Sequence, residues 1–232
     1  MNRKLWMIIF MAVVIAHLTA IAAGHLLLQQ VTKPLIILTL GVYFFSCVGR
    51  SRSSLIKWVA LALFFSWVGD ILLMFQGRDS IFFILGLSSF LLAHVFYIIF
   101  FHQLRVGENI KSNPWLLVIV AVYYATLMYF LSPHLLDMKV PVRIYGIVIS
   151  FMFLLAMHMP FMAAKNIGRL LMTGALLFVI SDSILAIDKF YRPFEMASIL
   201  IMLTYAAAQF IIVEGAARYI NMKSNFEEVA SG

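Results

Sequence analysis

The sequence predicts an all-α protein, a polytopic membrane helical bundle, and three observations carry that prediction. The 232 residues are 64% hydrophobic and 12% charged, with a mean hydropathy of +1.01, whereas soluble domains contain about 25% charged residues. Apolar windows recur along the whole chain, and only short polar breaks separate them. Because a backbone in lipid must satisfy its hydrogen bonds internally, runs of this length are expected to form transmembrane helices.

The windows predict about eight spans. They lie near residues 5–24, 34–48, 55–75, 81–101, 115–131, 142–162, 168–187 and 194–214. The first window follows Arg3 and Lys4 and ends in small residues, as a secretory signal does, but its length and its continuation into further spans favour a transmembrane helix. Residues 1–220 are predicted to form a single bundle and residues 221–232 a polar C-terminal tail, whose last part, NFEEVASG at 225–232, is predicted to be disordered.

The distribution of basic residues indicates how the bundle is oriented in the membrane and does not indicate a soluble partner. The net charge of +7 comes from basic residues spread over nearly every connection, and no basic stripe with interleaved aromatic residues is present, so nucleic-acid binding is excluded. With the N-terminus inside, eleven Lys and Arg residues fall on the inner side and six on the outer side. This distribution predicts both termini in the cytoplasm, and the short loops suggest a bacterial inner membrane. Membrane lipids are then the expected surroundings, and no obligate protein partner is inferred.

Neither cysteine nor histidine indicates a metal. Cys47 is the single cysteine, so the chain has no CxxC motif and no intramolecular disulfide. The six histidines form no HxxxH or HxxE pair. The sequence therefore predicts no metal and no cofactor.

Two aspartates stand inside predicted spans. Asp70 and Asp182 each lie about five residues from the outer end of their span, which is roughly 8 Å below the boundary. A charged carboxylate in a span costs about 3 kcal/mol on insertion scales, so both side chains are expected to face a cavity or a partner. They either pair with Lys33 and hold the bundle together or belong to a functional site.

Further polar residues are candidates for the same site. Lys33 is predicted to begin the second span, and Asp188 and Arg192 to follow the seventh at the outer rim. His94 and Tyr97 share a helix face, as do Tyr205 and Gln209 at i and i+4. Each of these could equally be a packing residue, or part of a solvated loop in the case of Asp188 and Arg192.

The chain contains the motifs WVGDILLMF, GLSSFLLAHVFY, TGALLFVISDSILAIDKF and TYAAAQFIIVEG, joined by TKPL and RIYGIVISFM. Together these motifs resemble the YhhN family, which includes the animal lysoplasmalogenases. The resemblance covers almost the whole chain, and the GD and SD motifs together are its most specific part. It implies hydrolysis of the vinyl-ether bond of a lysoplasmalogen, a lysophospholipid, to a fatty aldehyde and glycerophosphoethanolamine or glycerophosphocholine.

The resemblance also implies roles for these residues. Vinyl-ether hydrolysis needs a protonated acid and a carboxylate, and burial beside a second carboxyl separates two carboxyl pKa values. Asp182 is expected to be the acid and Asp70 the base, although the roles could be exchanged. Lys33 or Arg192 would hold the phosphate. The residues expected to line and orient the site, with Asp188 at its rim, are His94, Tyr97, Tyr145, Tyr205 and Gln209.

Two other classes stay open. A small-solute or proton-coupled transporter would also use buried carboxylates, and a shift of 112 residues that superposes Asp70 on Asp182 hints at a parallel repeat. Pro160 could kink the sixth span in such a protein. A metal-dependent membrane hydrolase of the ceramidase sort would need several well-placed histidines with acidic partners.

Overall fold

The computed structural model describes residues 2–49 and 51–231, with side chains through residue 225. Within these residues the chain forms eight long helices and no strand, which confirms the predicted fold class. The helices are α1 (Arg3–Ala22), α2 (Leu26–Val48), α3 (Leu55–Met74), α4 (Ser80–Gly107), α5 (Pro114–Leu131), α6 (Lys139–Ala156), α7 (Lys165–Ala186) and α8 (Ala197–Ser231). Each contains a stretch long and apolar enough to cross a membrane. The protein is therefore an integral membrane protein.

Short connections return the chain after every helix. The α5–α6 connection contains two 3₁₀ turns and the α6–α7 connection one, at Met159–Phe161, so Pro160 follows α6 instead of kinking it. A π-helical turn at Ile187–Tyr191 extends α7. Helices α1, α3, α5 and α7 finish at the same end of the bundle, which is called the cavity end below.

The second helix begins earlier than predicted. It begins at Leu26 and not near residue 34, because the chain already turns at Gly24, whose φ is +66°, and His25 caps the new helix. Pro34 lies inside the helix, since a membrane-spanning helix tolerates the loss of one backbone hydrogen bond at a proline. Lys33 therefore lies inside α2, two turns from its start, and does not begin the helix.

The C-terminal part of the chain is helical. Helix α8 continues to Ser231, so the disorder predicted from residue 225 onwards is not observed as far as that residue. The division into one bundle and a polar tail stays a prediction. Gly232, at the end of that tail, and Arg50, one of the inner basic residues counted for orientation, lie outside the described residues.

Two helix pairs pack closely through glycine. A Cβ on Gly69 of α3 would lie 2.6 Å from the Phe90 ring of α4, and a Cβ on Gly174 of α7 would lie 2.9 Å from the backbone nitrogen of Ile212 in α8. Small residues at such crossings let helix backbones approach in a membrane. Since Gly69 precedes Asp70 and Gly174 lies two turns before Asp182, these crossings position both aspartates.

A buried ion cluster joins three helices at the opposite end. Glu214 of α8 is 6% exposed and accepts hydrogen bonds from Arg3 of α1, Tyr43 of α2 and Arg218 of α8. A buried carboxylate is stabilised only when such partners compensate its lost hydration. The cluster holds the helices together away from the cavity end.

Candidate active site

A cavity of about 320 Å³ lies at the cavity end of the bundle. Among the described helices, all except α5 supply residues that line this cavity. The cavity reaches the surface of the protein, because the exposed Leu26 is one of its lining residues. Six of the residues singled out from the sequence line it: Lys33, Asp70, Tyr145, Asp182, Asp188 and Tyr205. Leu73, Leu87, Phe90, Ile201 and Met202 give it an apolar wall. Both aspartates thus face one cavity.

Asp70 is held by a tyrosine and a lysine. The carboxyl is 3% exposed, and its Oδ2 accepts a hydrogen bond of 2.8 Å from the Tyr205 hydroxyl. The Lys33 Nζ lies 3.9 Å from Oδ1. The early start of α2 matters here, because it places Lys33 within the membrane-spanning part of the bundle. An ammonium at this distance stabilises the ionised carboxylate.

Asp182 has a tyrosine and a histidine as partners instead. Its Oδ2 accepts a hydrogen bond from the Tyr145 hydroxyl and lies 3.2 Å from His94 Nε2. His94 Nε2 is also 2.9 Å from the Tyr145 oxygen, so the three polar atoms form a closed triangle. Helices α4, α6 and α7 each contribute one of these side chains. The two carboxyls therefore have different surroundings although they share one cavity.

Four residues expected at the site do not line the cavity. His94 is fully buried behind Asp182. Tyr97 donates a hydrogen bond of 2.6 Å to Gln209, whose amide nitrogen donates to Ser66 at 2.9 Å, so this chain lies deeper in the core. Arg192 is exposed and is not among the lining residues.

The cavity is also lined by polar residues that were not predicted from the sequence. They are His17, Gln29, Gln30, Gln76, Ser181 and Ser198. His17 is buried, and its Nδ1 lies 2.8 Å from the hydroxyl of Thr32. A histidine within the first apolar window could have indicated an inward-facing position. The glutamines gave no such signal, because they lie near helix ends where polar residues are ordinary.

The mouth of the cavity carries opposite charges. The Lys189 Nζ donates a hydrogen bond of 3.1 Å to Gln76 and lies 4.9 Å from the centroid of the Phe83 ring, and both partners line the cavity. Asp188 lines the cavity and accepts a hydrogen bond of 3.2 Å from the backbone nitrogen of Phe194. Lys189 is not itself a lining residue, but these two contacts place it at the mouth, near where Arg192 was expected.

The polar groups of the cavity suit proton transfer. In the described part of the chain no group of three or more His, Cys, Asp or Glu side chains could hold a metal ion. The cavity instead offers two carboxyls, two tyrosine hydroxyls and a lysine against an apolar wall. Two carboxyls in unlike surroundings can act as acid and base.

The fold and this site define a class: an integral membrane helical bundle with a carboxylate-lined cavity at one end. The chain belongs to the YhhN family, whose model matches residues 28–216, as its sequence motifs predicted. Human lysoplasmalogenase TMEM86B is 33% identical over 159 residues, 68% of this chain and 62% of that protein. Bovine lysoplasmalogenase TMEM86A is 32% identical over 162 residues, 68% of this chain and 64% of that protein.

A bacterial relative aligns over more of the chain. Lysoplasmalogenase of Mycobacterium tuberculosis is 30% identical over 196 residues, 83% of this chain and 71% of that protein. The chain spans less than two thirds of the length of the human and bovine relatives. No solved structure matches the chain.

Proposed function

We propose that this protein is a membrane-embedded lysoplasmalogenase. It hydrolyses the vinyl-ether bond of a lysoplasmalogen and releases a fatty aldehyde and glycerophosphoethanolamine or glycerophosphocholine. The names of the relatives support this activity at the level of the family. The observation that carries it is that Asp70 and Asp182 line one apolar-walled cavity in unlike surroundings.

The first half of the reaction uses Asp182 as acid and Asp70 as base. Asp182 gives a proton to the β-carbon of the vinyl ether, and the alkene electrons form the new C–H bond, which leaves an oxocarbenium ion. Ionised Asp70 stabilises this cation electrostatically. Water then attacks the α-carbon and gives a proton to Asp70, so a hemiacetal forms.

The second half restores both carboxyls. The hemiacetal hydroxyl gives its proton to the Asp182 carboxylate while the bond from the α-carbon to the glycerol oxygen breaks. Asp70 returns its proton to that oxygen. The aldehyde and the glycerophospho alcohol leave, and the net change is the addition of one water molecule across the vinyl ether.

The remaining residues of the cavity bind the lipid. Phe90, Met202 and the other apolar wall residues receive the alkenyl chain, which enters from the bilayer. Lys33 lies within the cavity and Lys189 at its mouth, so these two cations are the proposed phosphate partners, and Arg192 is not. Asp188 at the mouth offers a carboxylate to the ammonium group of the head.

The site also has a proposed side of the membrane. The distribution of basic residues supports a bacterial inner membrane with both termini in the cytoplasm. The cavity end then faces the periplasm. The aldehyde would then leave into the bilayer and the polar alcohol into water.

Purified protein in detergent tests the activity. We expect the wild type to release aldehyde from an alkenyl lysophospholipid and to leave the saturated alkyl-ether analogue intact, because only the vinyl ether accepts a proton on carbon. Asp70→Asn and Asp182→Asn are expected to lower kcat by about 100-fold or more. Glu108→Gln, a carboxyl exchange at the half-buried C-cap of α4 at the opposite end, is the control and retains turnover.

Two results would contradict the proposal in different ways. A folded wild type without aldehyde release would exclude the activity. Near wild-type turnover in both Asp variants would exclude the carboxylate pair but not the activity. Turnover in detergent would in addition separate an enzyme from a transporter, since an enzyme does not need two compartments.

A further inference from the structure

His94 is placed where it can act only through its neighbours. Its side chain is fully buried, with the ring 4.7 Å from the Phe178 centroid and 5.3 Å from the Tyr145 centroid. It is not among the residues that line the cavity. A substrate in the cavity therefore meets Asp182 and Tyr145 but not His94.

The hydrogen-bond network assigns the hydrogen of this imidazole to Nε2. Nε2 faces two oxygens, the Tyr145 hydroxyl at 2.9 Å and Asp182 Oδ2 at 3.2 Å. Nδ1 is buried and has no hydrogen-bond partner in the described part of the chain. A hydrogen on Nδ1 would be an orphaned buried donor, which folded proteins avoid. The Nε2–H tautomer is therefore the one that the network favours.

Both donors then converge on one oxygen of Asp182. The Tyr145 hydroxyl donates to Oδ2, and the His94 Nε2–H is shared between the Tyr145 oxygen at 2.9 Å and Oδ2 at 3.2 Å. A carboxyl oxygen that accepts hydrogen bonds from two donors is disfavoured as the site of the acidic proton. Oδ1 makes no hydrogen bond within the described residues and belongs to a cavity-lining side chain. The proton of the acid therefore belongs on Oδ1.

We propose that His94 is a positioning residue that, together with Tyr145, fixes the catalytic proton of Asp182 on Oδ1, facing the substrate. The inference rests on the proposed vinyl-ether hydrolysis. Asp70 shows the contrast, since Lys33 lies beside its Oδ1 and Tyr205 donates to Oδ2. Both Asp70 oxygens thus have a partner, whereas Asp182 Oδ1 has none within the described residues.

The effect on rate follows from the geometry of proton transfer. Without the Nε2–H donor, the Asp182 proton distributes over both oxygens, and the carboxyl can rotate away from the substrate. General acid catalysis contributes about 10²–10⁴-fold, and it depends on the correct approach of the donor. Loss of His94 is therefore expected to lower kcat and to leave KM unchanged, because His94 does not touch the substrate.

Two amide substitutions separate a positioning role from packing. The amide nitrogen of glutamine extends about as far from the backbone as imidazole Nε2, whereas that of asparagine extends only as far as Nδ1. We expect His94→Gln to keep kcat within a few-fold of wild type, and His94→Asn and His94→Leu to lower it by about 100-fold. His158→Gln, at another buried histidine near the opposite end, is the control and keeps kcat.

A double substitution tests whether His94 acts through Asp182. In an Asp182→Asn background, His94→Leu is expected to cause no further loss, because residues that act as one unit are not additive. Three results would each overturn the proposal. The kcat losses of the two single variants could multiply in the double variant, His94→Gln and His94→Leu could have equal kcat, or the change could be confined to KM.

An infrared measurement gives a readout without turnover. At acidic pH the difference spectrum between wild type and Asp182→Asn contains the carbonyl stretch of protonated Asp182. Two hydrogen bonds to Oδ2 lower this frequency, so we expect a shift to higher wavenumber in His94→Leu and little shift in His94→Gln. An unshifted band in His94→Leu would overturn the inference even if the proposed activity fails, and a shifted band would support it.

Discussion

At the scale of single residues, the two buried aspartates differ in what surrounds them. Asp70 has a lysine and a tyrosine, and Asp182 has a tyrosine and a histidine. A charged residue inside a membrane bundle is costly and is kept where partners or function compensate it. Here each buried carboxyl has its own pair of partners, and Asp182 alone of the two keeps an oxygen without a partner among the described residues. The proposal that Asp182 is the acid rests on that oxygen.

The mouth residue Lys189 gives a prediction at this scale. Lys189→Gln is expected to raise KM for an alkenyl lysophospholipid by about fivefold with kcat unchanged, since a partly exposed ion contact contributes up to about 1 kcal/mol. Arg192→Gln, three residues later but outside the cavity, is expected to change neither constant. Steady-state kinetics of the two variants decide between them. If KM rises only in Arg192→Gln, the phosphate contacts Arg192, as the sequence indicated, and not Lys189.

At the scale of elements, close helix crossings place the site. Gly69 brings α3 against α4 beside Asp70, and Gly174 brings α7 against α8 before Asp182. Helix α2 adds the third component, because its early start carries Lys33 into the cavity. The motifs GD and GALLFxxSD thus combine a reactive carboxyl with the small residue that positions its helix.

Gly174 gives the prediction at the scale of elements. An alanine Cβ there would lie 2.6 Å from Ile212 Cγ1 and 2.9 Å from its backbone nitrogen, so α7 and α8 must separate. We expect Gly174→Ala to lower stability by about 1–3 kcal/mol and to reduce aldehyde release, because α7 carries Asp182. Gly41→Ala is the control, since no atom lies within 4 Å of its added Cβ.

Thermal unfolding in detergent measures both glycine variants. In Gly41→Ala the Tm is expected to stay unchanged or to rise, since alanine is about 0.5–1 kcal/mol more favourable than glycine inside a helix. Equal Tm values for the two variants would show that the α7–α8 crossing does not need a glycine.

At the scale of the whole molecule, the two ends of the bundle differ. The cavity end holds the carboxylates and the mouth charges, and the opposite end holds the ion cluster around Glu214. Most basic residues belong to the opposite end, which the positive-inside rule places in the cytoplasm. The asymmetry predicts that substrate enters from the outer leaflet.

Cysteine labelling tests this orientation. Two exposed serines lie at opposite ends, Ser80 at the start of α4 and Ser112 in the α4–α5 connection. In a Cys47→Ala background, Ser80→Cys is expected to react with a membrane-impermeant maleimide on intact spheroplasts, and Ser112→Cys only after lysis. The reverse labelling pattern would place the cavity end in the cytoplasm.

Much of this protein could be predicted from its sequence. Composition and the recurrence of apolar windows determined the class of fold, and six of the helices lie close to their predicted spans because hydropathy reports burial in lipid directly. Helix α8 continues past its predicted end near residue 214 to Ser231. The second span was predicted to start too late, since Pro34 reads as a break in a sequence while a helix can contain it. The motifs around Asp70 and Asp182 indicated the family.

The sequence by itself determined that the two aspartates lie in spans at a similar depth, because that follows from their positions in the apolar windows. Only the tertiary structure decided that they share one cavity, that His94 lies behind Asp182, and that Lys189 is at the mouth where Arg192 was expected. The physical reason is that hydropathy fixes how deep a residue lies along a helix. The rotation of each helix, and hence which side chains meet, is fixed by packing against neighbours distant in the chain.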